Sequence, residues 1–80
     1  MSRYARNDVL KTVRTYLKFT QRELAEEAKI NSTYVCQIET GARKIGHRVA
    51  YQIWTALRPA FDDLGLTQED LLRGYREVVW

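Results

Sequence analysis

Proline, cysteine and histidine each occur once in this chain, glycine only four times, and long apolar runs are missing altogether. Each scarcity excludes something. A single thiol, Cys36, cannot close an internal disulfide and points to a reducing compartment. With one proline and few glycines there is little to interrupt helices, and apolar residues recur at 3.6-residue spacing, which indicates an all-α domain. No stretch approaches the about 20 apolar residues that a membrane span requires, so no membrane partner is expected. The start, MSRYARND, is polar and lacks the apolar core of a signal peptide, and a cytoplasmic location is expected. Chemistry is equally sparse. The chain offers no paired-carboxylate cleft, no Cys–His couple with an orienting acid, no glycine-rich phosphate loop and no metal quartet. No enzymatic activity, cofactor or metal site is therefore expected, and the lone His47 reads as a helix-start or surface residue.

What is present suffices for one domain over residues 1–80 with one modest core: 45% apolar residues, nine of them aromatic. The formal charge of +3 is unevenly spread. Residues 1–48 hold ten Lys/Arg against five Asp/Glu, and residues 49–80 hold three against five. A solvated basic face explains such a bias by itself; its coincidence with the motif that follows favours nucleic-acid binding.

That motif is TQRELAEEAKINSTYVCQIETG, Thr20 to Gly41. Thr20 and Glu23 have capping-box spacing. Leu24, Ala25 and Ala28 form a narrow apolar stripe, and the small Ala25 permits close approach of a crossing helix. Asn31 can cap a second helix from Ser32 to about Thr40. Val35 and Ile38 face inward there, leaving Ser32, Thr33, Cys36 and Gln37 outside. Gly41 is a natural stop, since glycine accepts the left-handed conformation past a helix end. Two short helices about a tight turn, the second polar outside, present a helix to the major groove of DNA; the alternative is an ordinary helical hairpin.

These residues resemble the lambda-repressor/Cro type of helix-turn-helix regulator, the xenobiotic-response-element family. The resemblance runs roughly from Val9 to Leu72 and is carried by TQRELAEEA, YVCQIETG and the later LTQEDLL. It implies a compact domain of five helices, with an extra short helical turn before the last. It implies that the helix after the turn reads DNA, with Ser32, Thr33 and Gln37, and Cys36 beside them, towards base edges. Gln21 and Tyr34 would contact phosphate or sugar, joined by Arg22 and Asn31. An ion pair of Arg14 with Glu39 is also implied. A surface pair of this kind contributes ~0–1 kcal/mol, whereas losing one partner of a buried pair costs ~3–5 kcal/mol. The chain departs from the family in the turn, where Lys29 replaces the usual glycine and would need a positive φ. Ile45 replaces the usual proline, Cys36 a common serine, and about seven residues from Arg58 to Leu64 are extra.

Outside the motif, Arg3 and Arg6 lie in an arm over residues 1–6 that is either a frayed terminus or a phosphate or groove contact. Asn7 or Asp8 can cap the first helix, whose core stripe is Val9, Leu10, Val13 and Leu17. Arg43 and Lys44, just past the second helix of the motif, can reach the phosphate backbone, with Arg48 near them. The next helix should bury Val49, Ile53, Ala56 and Leu57, with Tyr51 and Trp54 packing as core aromatics. It should end near Leu57 or Arg58, before a short helical turn starting at Pro59 and stopped by Gly65. Phe61 and Leu64 should cover the core there, and Thr67 should cap a last helix that packs Leu71 and Leu72. Tyr75, Val78, Val79 and Trp80 continue the spacing of Leu71 and Leu72 past Gly74. That tail, residues 75–80, either folds back or packs against a second copy, and the dimer is the favoured expectation.

The function expected is a sequence-specific regulator of transcription, a repressor binding a (pseudo)palindromic operator on double-stranded DNA as a homodimer. Its two reading helices would stand ~34–36 Å apart. RNA polymerase is a further partner if the regulator activates. The alternative is a protein-interaction module or antitoxin, with the apolar tail gripping a toxin.

Overall fold

A computed structural model describes residues 6–75, and these form six helices with no strand among them. They are α1 (Asp8–Tyr16), α2 (Gln21–Ala28), α3 (Ser32–Thr40), α4 (His47–Ala56), α5 (Arg58–Leu64) and α6 (Gln68–Arg73). The all-α class is as expected. The extra turn before the last helix is a helix in its own right, α5, which follows α4 with only Leu57 between them. Pro59 lies in its first turn, where its missing N–H has no helical partner to lose.

Local chemistry places most of the ends. Asn7, Thr20, Asn31 and Thr67 cap α1, α2, α3 and α6, and Thr20 and Thr67 form reciprocal boxes with Glu23 and Asp70. Three helices finish in the same closure, a left-handed residue followed by an apolar one whose N–H reaches back five positions. The bonds are Phe19 to Arg14, Ile30 to Ala25 and Leu66 to Phe61, at 3.0, 2.9 and 2.8 Å. Phe19, Ile30 and Leu66 then turn onto the core, so each stop also steers the chain inward. At Lys18 and Lys29 the left-handed residue is not glycine, with φ of 58° and 59°. The positive φ foreseen for Lys29 is present; the one at Lys18 is an addition.

The core gathers Val9, Leu10 and Val13 from α1, Leu24, Ala25 and Ala28 from α2, and Val35 and Ile38 from α3. Ala50, Ile53, Leu57, Ala60, Phe61 and Leu71 close it from the other side, and Ile45 is buried from the loop. Three expectations change here. Ala56 is exposed and Ala50 takes the inward place, so α4 is rotated by part of a turn from the expected face. Tyr51 is exposed, and only Trp54 packs on the core. Leu17 and Leu64 sit half-buried at its margin.

Asn7 fastens α1 to the end of α6. Its Oδ1 accepts from the Leu10 N–H at 2.9 Å and its Nδ2 donates to the Leu71 carbonyl at 2.8 Å. The Gly74 carbonyl accepts from the N–H groups of Asp8 and Val9. Donors left over at one helix start thus meet acceptors left over at another helix end. Gly74 has a φ of 89°, and a Cβ there would lie 3.3 Å from the Arg6 carbonyl oxygen and Asn7 Cα. Helix α6 therefore stops at Gly74, and Tyr75 does not extend the stripe of Leu71 and Leu72. Val78, Val79 and Trp80 lie outside the described residues, as does Arg3.

Candidate nucleic-acid interface

Helix α3 is held from inside by Val35, Ile38 and Glu39, which leaves Thr33, Cys36 and Thr40 exposed on the opposite side and Gln37 half-buried beside them. Ser32 and Tyr34 flank this face, both half-buried. Thr40 was not among the expected outward residues; its hydroxyl donates to the carbonyls of Cys36 and Gln37. Asn31 is exposed, and its Oδ1 accepts from the Thr33 N–H at 2.7 Å. No acid stands on the outward face. The one carboxylate of α3, Glu39, is turned inward and buried.

Glu39 meets Arg14 in a two-pronged contact. Nε donates to Oε2 at 2.8 Å and Nη2 to Oε1 at 3.0 Å, while Nη1 donates to the Phe19 carbonyl. Hydrogen bonding to Glu39 raises Arg14 above the ordinary arginine value, with burial pulling the other way. Gln21, at the first position of α2, donates to Glu39 Oε1 at 3.4 Å. The pair therefore sets α1, the start of α2 and the inner side of α3 against one another. Arg6 opens onto the same groove, near Lys11, Gln21 and Thr40.

A second group forms at the other end of α3. The Arg43 guanidinium lies over the Tyr34 ring, 5.0 Å from its centroid, and its Nε donates to Gln37 Oε1 at 3.0 Å. Sequence spacing separates Arg43 as a backbone contact from Gln37 as a base contact; the fold joins them. Lys44 is exposed beside Arg43 and shares a groove with Arg73. Arg73 is largely neutralised by Asp70 and Glu69. Arg22 stands apart on the exposed side of α2, 3.7 Å from Glu26.

Cys36 is a free, exposed thiol on this face. His47 opens α4 from solvent, and among the described residues no three His, Cys, Asp or Glu side chains gather as metal ligands. No described helix is long and apolar enough to cross a membrane. Tyr75 is exposed next to a shallow groove lined by Val9, Leu64 and Leu66. No family model matches the chain, and no curated protein matches it.

Proposed function

We propose that the protein is a sequence-specific DNA-binding regulator that lays α3 in the major groove of an operator and represses by occlusion. The observation that carries this reading is the sidedness of α3. Its outward face holds Thr33, Cys36 and Gln37 with Arg43 and Lys44 beyond, while its single acid is turned inward onto Arg14. Polar groups with cations at the margin suit base edges flanked by phosphates. Ser32 and Thr33 would approach bases from the first turn, and Gln21, Asn31, Tyr34, Lys44 and the arm would fix the register on the backbone.

Two copies on one face of DNA complete the proposal, with the exposed Tyr75 and its neighbouring groove at the contact. The same exposed tyrosine favours a second reading, an interaction module or antitoxin that grips a protein partner. An electrophoretic shift separates the two. Under the regulator reading, DNA from upstream of the protein's own gene gives a complex that survives excess random-sequence competitor. No shift with any duplex would leave the interaction module. Sedimentation with and without that DNA tests the dimer, and a monomer in both conditions would remove it.

A further inference from the structure

We infer that Arg43 reads a guanine in the operator, and that Gln37 serves as its positioning residue. This rests on the reading of α3 as a DNA-binding helix. An arginine in a loop past a helix is ordinarily a loose phosphate contact, with rotamer freedom to lose on being fixed. Arg43 is already restrained three ways. Its backbone N–H donates to the Gln37 carbonyl at 3.1 Å, its Nε to Gln37 Oε1 at 3.0 Å, and its guanidinium lies over Tyr34. Together these hold the guanidinium plane against the outward side of α3 before any ligand arrives.

The base preference follows from which atoms are occupied. Arginine has no acceptor, so only the amide oxygen of Gln37 can meet Nε, and this sets how the Gln37 amide is turned. That bond uses one lone pair of the oxygen and ties the orientation of the Gln37 amide to that of the guanidinium. Arg43 keeps Nη1 and Nη2, an end-on fork of two donors. In the major groove, two neighbouring acceptors on one base occur in guanine, at O6 and N7, whereas adenine sets an amino group against one of the donors. The free fork of Arg43, held in place by Gln37, therefore selects guanine.

The test begins with selection of sites from random duplex DNA by the full chain. The selected duplex is then compared in competition binding with a copy carrying adenine in place of the guanine assigned to Arg43. Wild type is expected to prefer guanine by about 5- to 150-fold, the range for one bidentate contact. Arg43→Met, which loses every donor, is expected to bring the preference within about twofold, whereas Arg43→Lys, whose ammonium can still donate to O6 and N7, should keep part of it. Gln37→Leu should erode it by releasing Arg43. Gln37→Glu, which keeps an acceptor for Nε, should retain it while binding both duplexes more weakly. Selection of a site in which both Arg43 variants weaken the two duplexes equally would make Arg43 a phosphate contact and overturn this inference alone. Failure of wild type to enrich any sequence would overturn the DNA-binding reading and this inference with it. Melting curves of the variants confirm folding, which the exposed position of Arg43 favours.

Discussion

Glu39 is 7% exposed, and without Arg14 it would be a buried charge with one weak amide contact from Gln21. The pair is therefore worth little as attraction and much as compensation. Removing either partner strands the other, which ordinarily costs ~3–5 kcal/mol. Since the Arg14 side chain keeps 19% of its exposure, the lower end of that range applies. Urea unfolding of Glu39→Ala or Arg14→Ala is expected to show a loss of about 3 kcal/mol. Arg14→Met combined with Glu39→Leu should recover most of it, because two apolar groups leave no charge unpaired. Losses that simply add in the double variant would show that the two residues act separately. Under the proposed DNA-binding reading, the contact also keeps the only acid of α3 away from the phosphates.

Helix ends are where individual elements are won or lost in this fold. Lys29 closes α2 at a φ of 59°, a conformation that costs an ordinary L-residue roughly 1–2 kcal/mol and glycine nothing. Lys29→Gly is therefore expected to raise the unfolding free energy by about 1 kcal/mol after the added freedom of the unfolded chain is counted. Gly41→Ala, at a φ of 85° after α3, should lower it by about 1–2 kcal/mol. Thermal or urea unfolding checks both, and matching effects of the two would refute the account. In α6, burial pushes the Asp70 carboxyl up, but hydrogen bonds from Thr67 and the charge and hydrogen bond of Arg73 outweigh it and hold the group below the ordinary value. A carboxyl lowered in the folded state stabilises above its unfolded pKa of about 3.9 and loses that contribution as pH falls through the folded value. The stability gap between wild type and Asp70→Asn should thus be steady above about pH 5 and shrink below about pH 4. A gap that ignores pH would place the role of Asp70 elsewhere.

Among the described residues, cations of α2, α5 and α6 pair with acids of their own helices, and the outward face of α3 with the loop after it is left free of acids. The exposed acids Asp8, Glu23, Glu26, Glu27, Asp62, Asp63 and Glu69 belong to α1, α2, α5 and α6, whereas the loop after α3 carries Arg43 and Lys44 with no acid in it. Such a distribution supplies orientation on a polyanion more than strength, and its contribution should vary with salt. Lys44→Ala is expected to weaken binding to specific and random duplexes alike and to reduce the slope of log K against log salt by about one. A loss confined to the specific duplex would move Lys44 from the backbone to a base. This contrast with Arg43 isolates the two neighbouring cations by experiment.

Much of this protein was legible before the chain was folded. The caps at Asn7, Thr20, Asn31 and Thr67, the stop at Gly41, the left-handed turn at Lys29 and the inward faces of α2 and α3 all depend on contacts within about five residues. Other features needed distant elements to meet. Apolar spacing in α4 allows either Ala50 or Ala56 to face inward, and only the docking of α4 against α2 and α6 selects Ala50. Tyr51 and Trp54 have similar chemistry, and the same docking exposes one and buries part of the other. The Asn7 junction joins residues over sixty positions apart, which no local signal announces. The sequence by itself determined the helices and how they end, because backbone hydrogen bonding and capping are local. Tertiary structure alone decided that Arg43, Gln37 and Tyr34 come together, because side-chain partnership across a loop depends on the path by which the chain leaves α3.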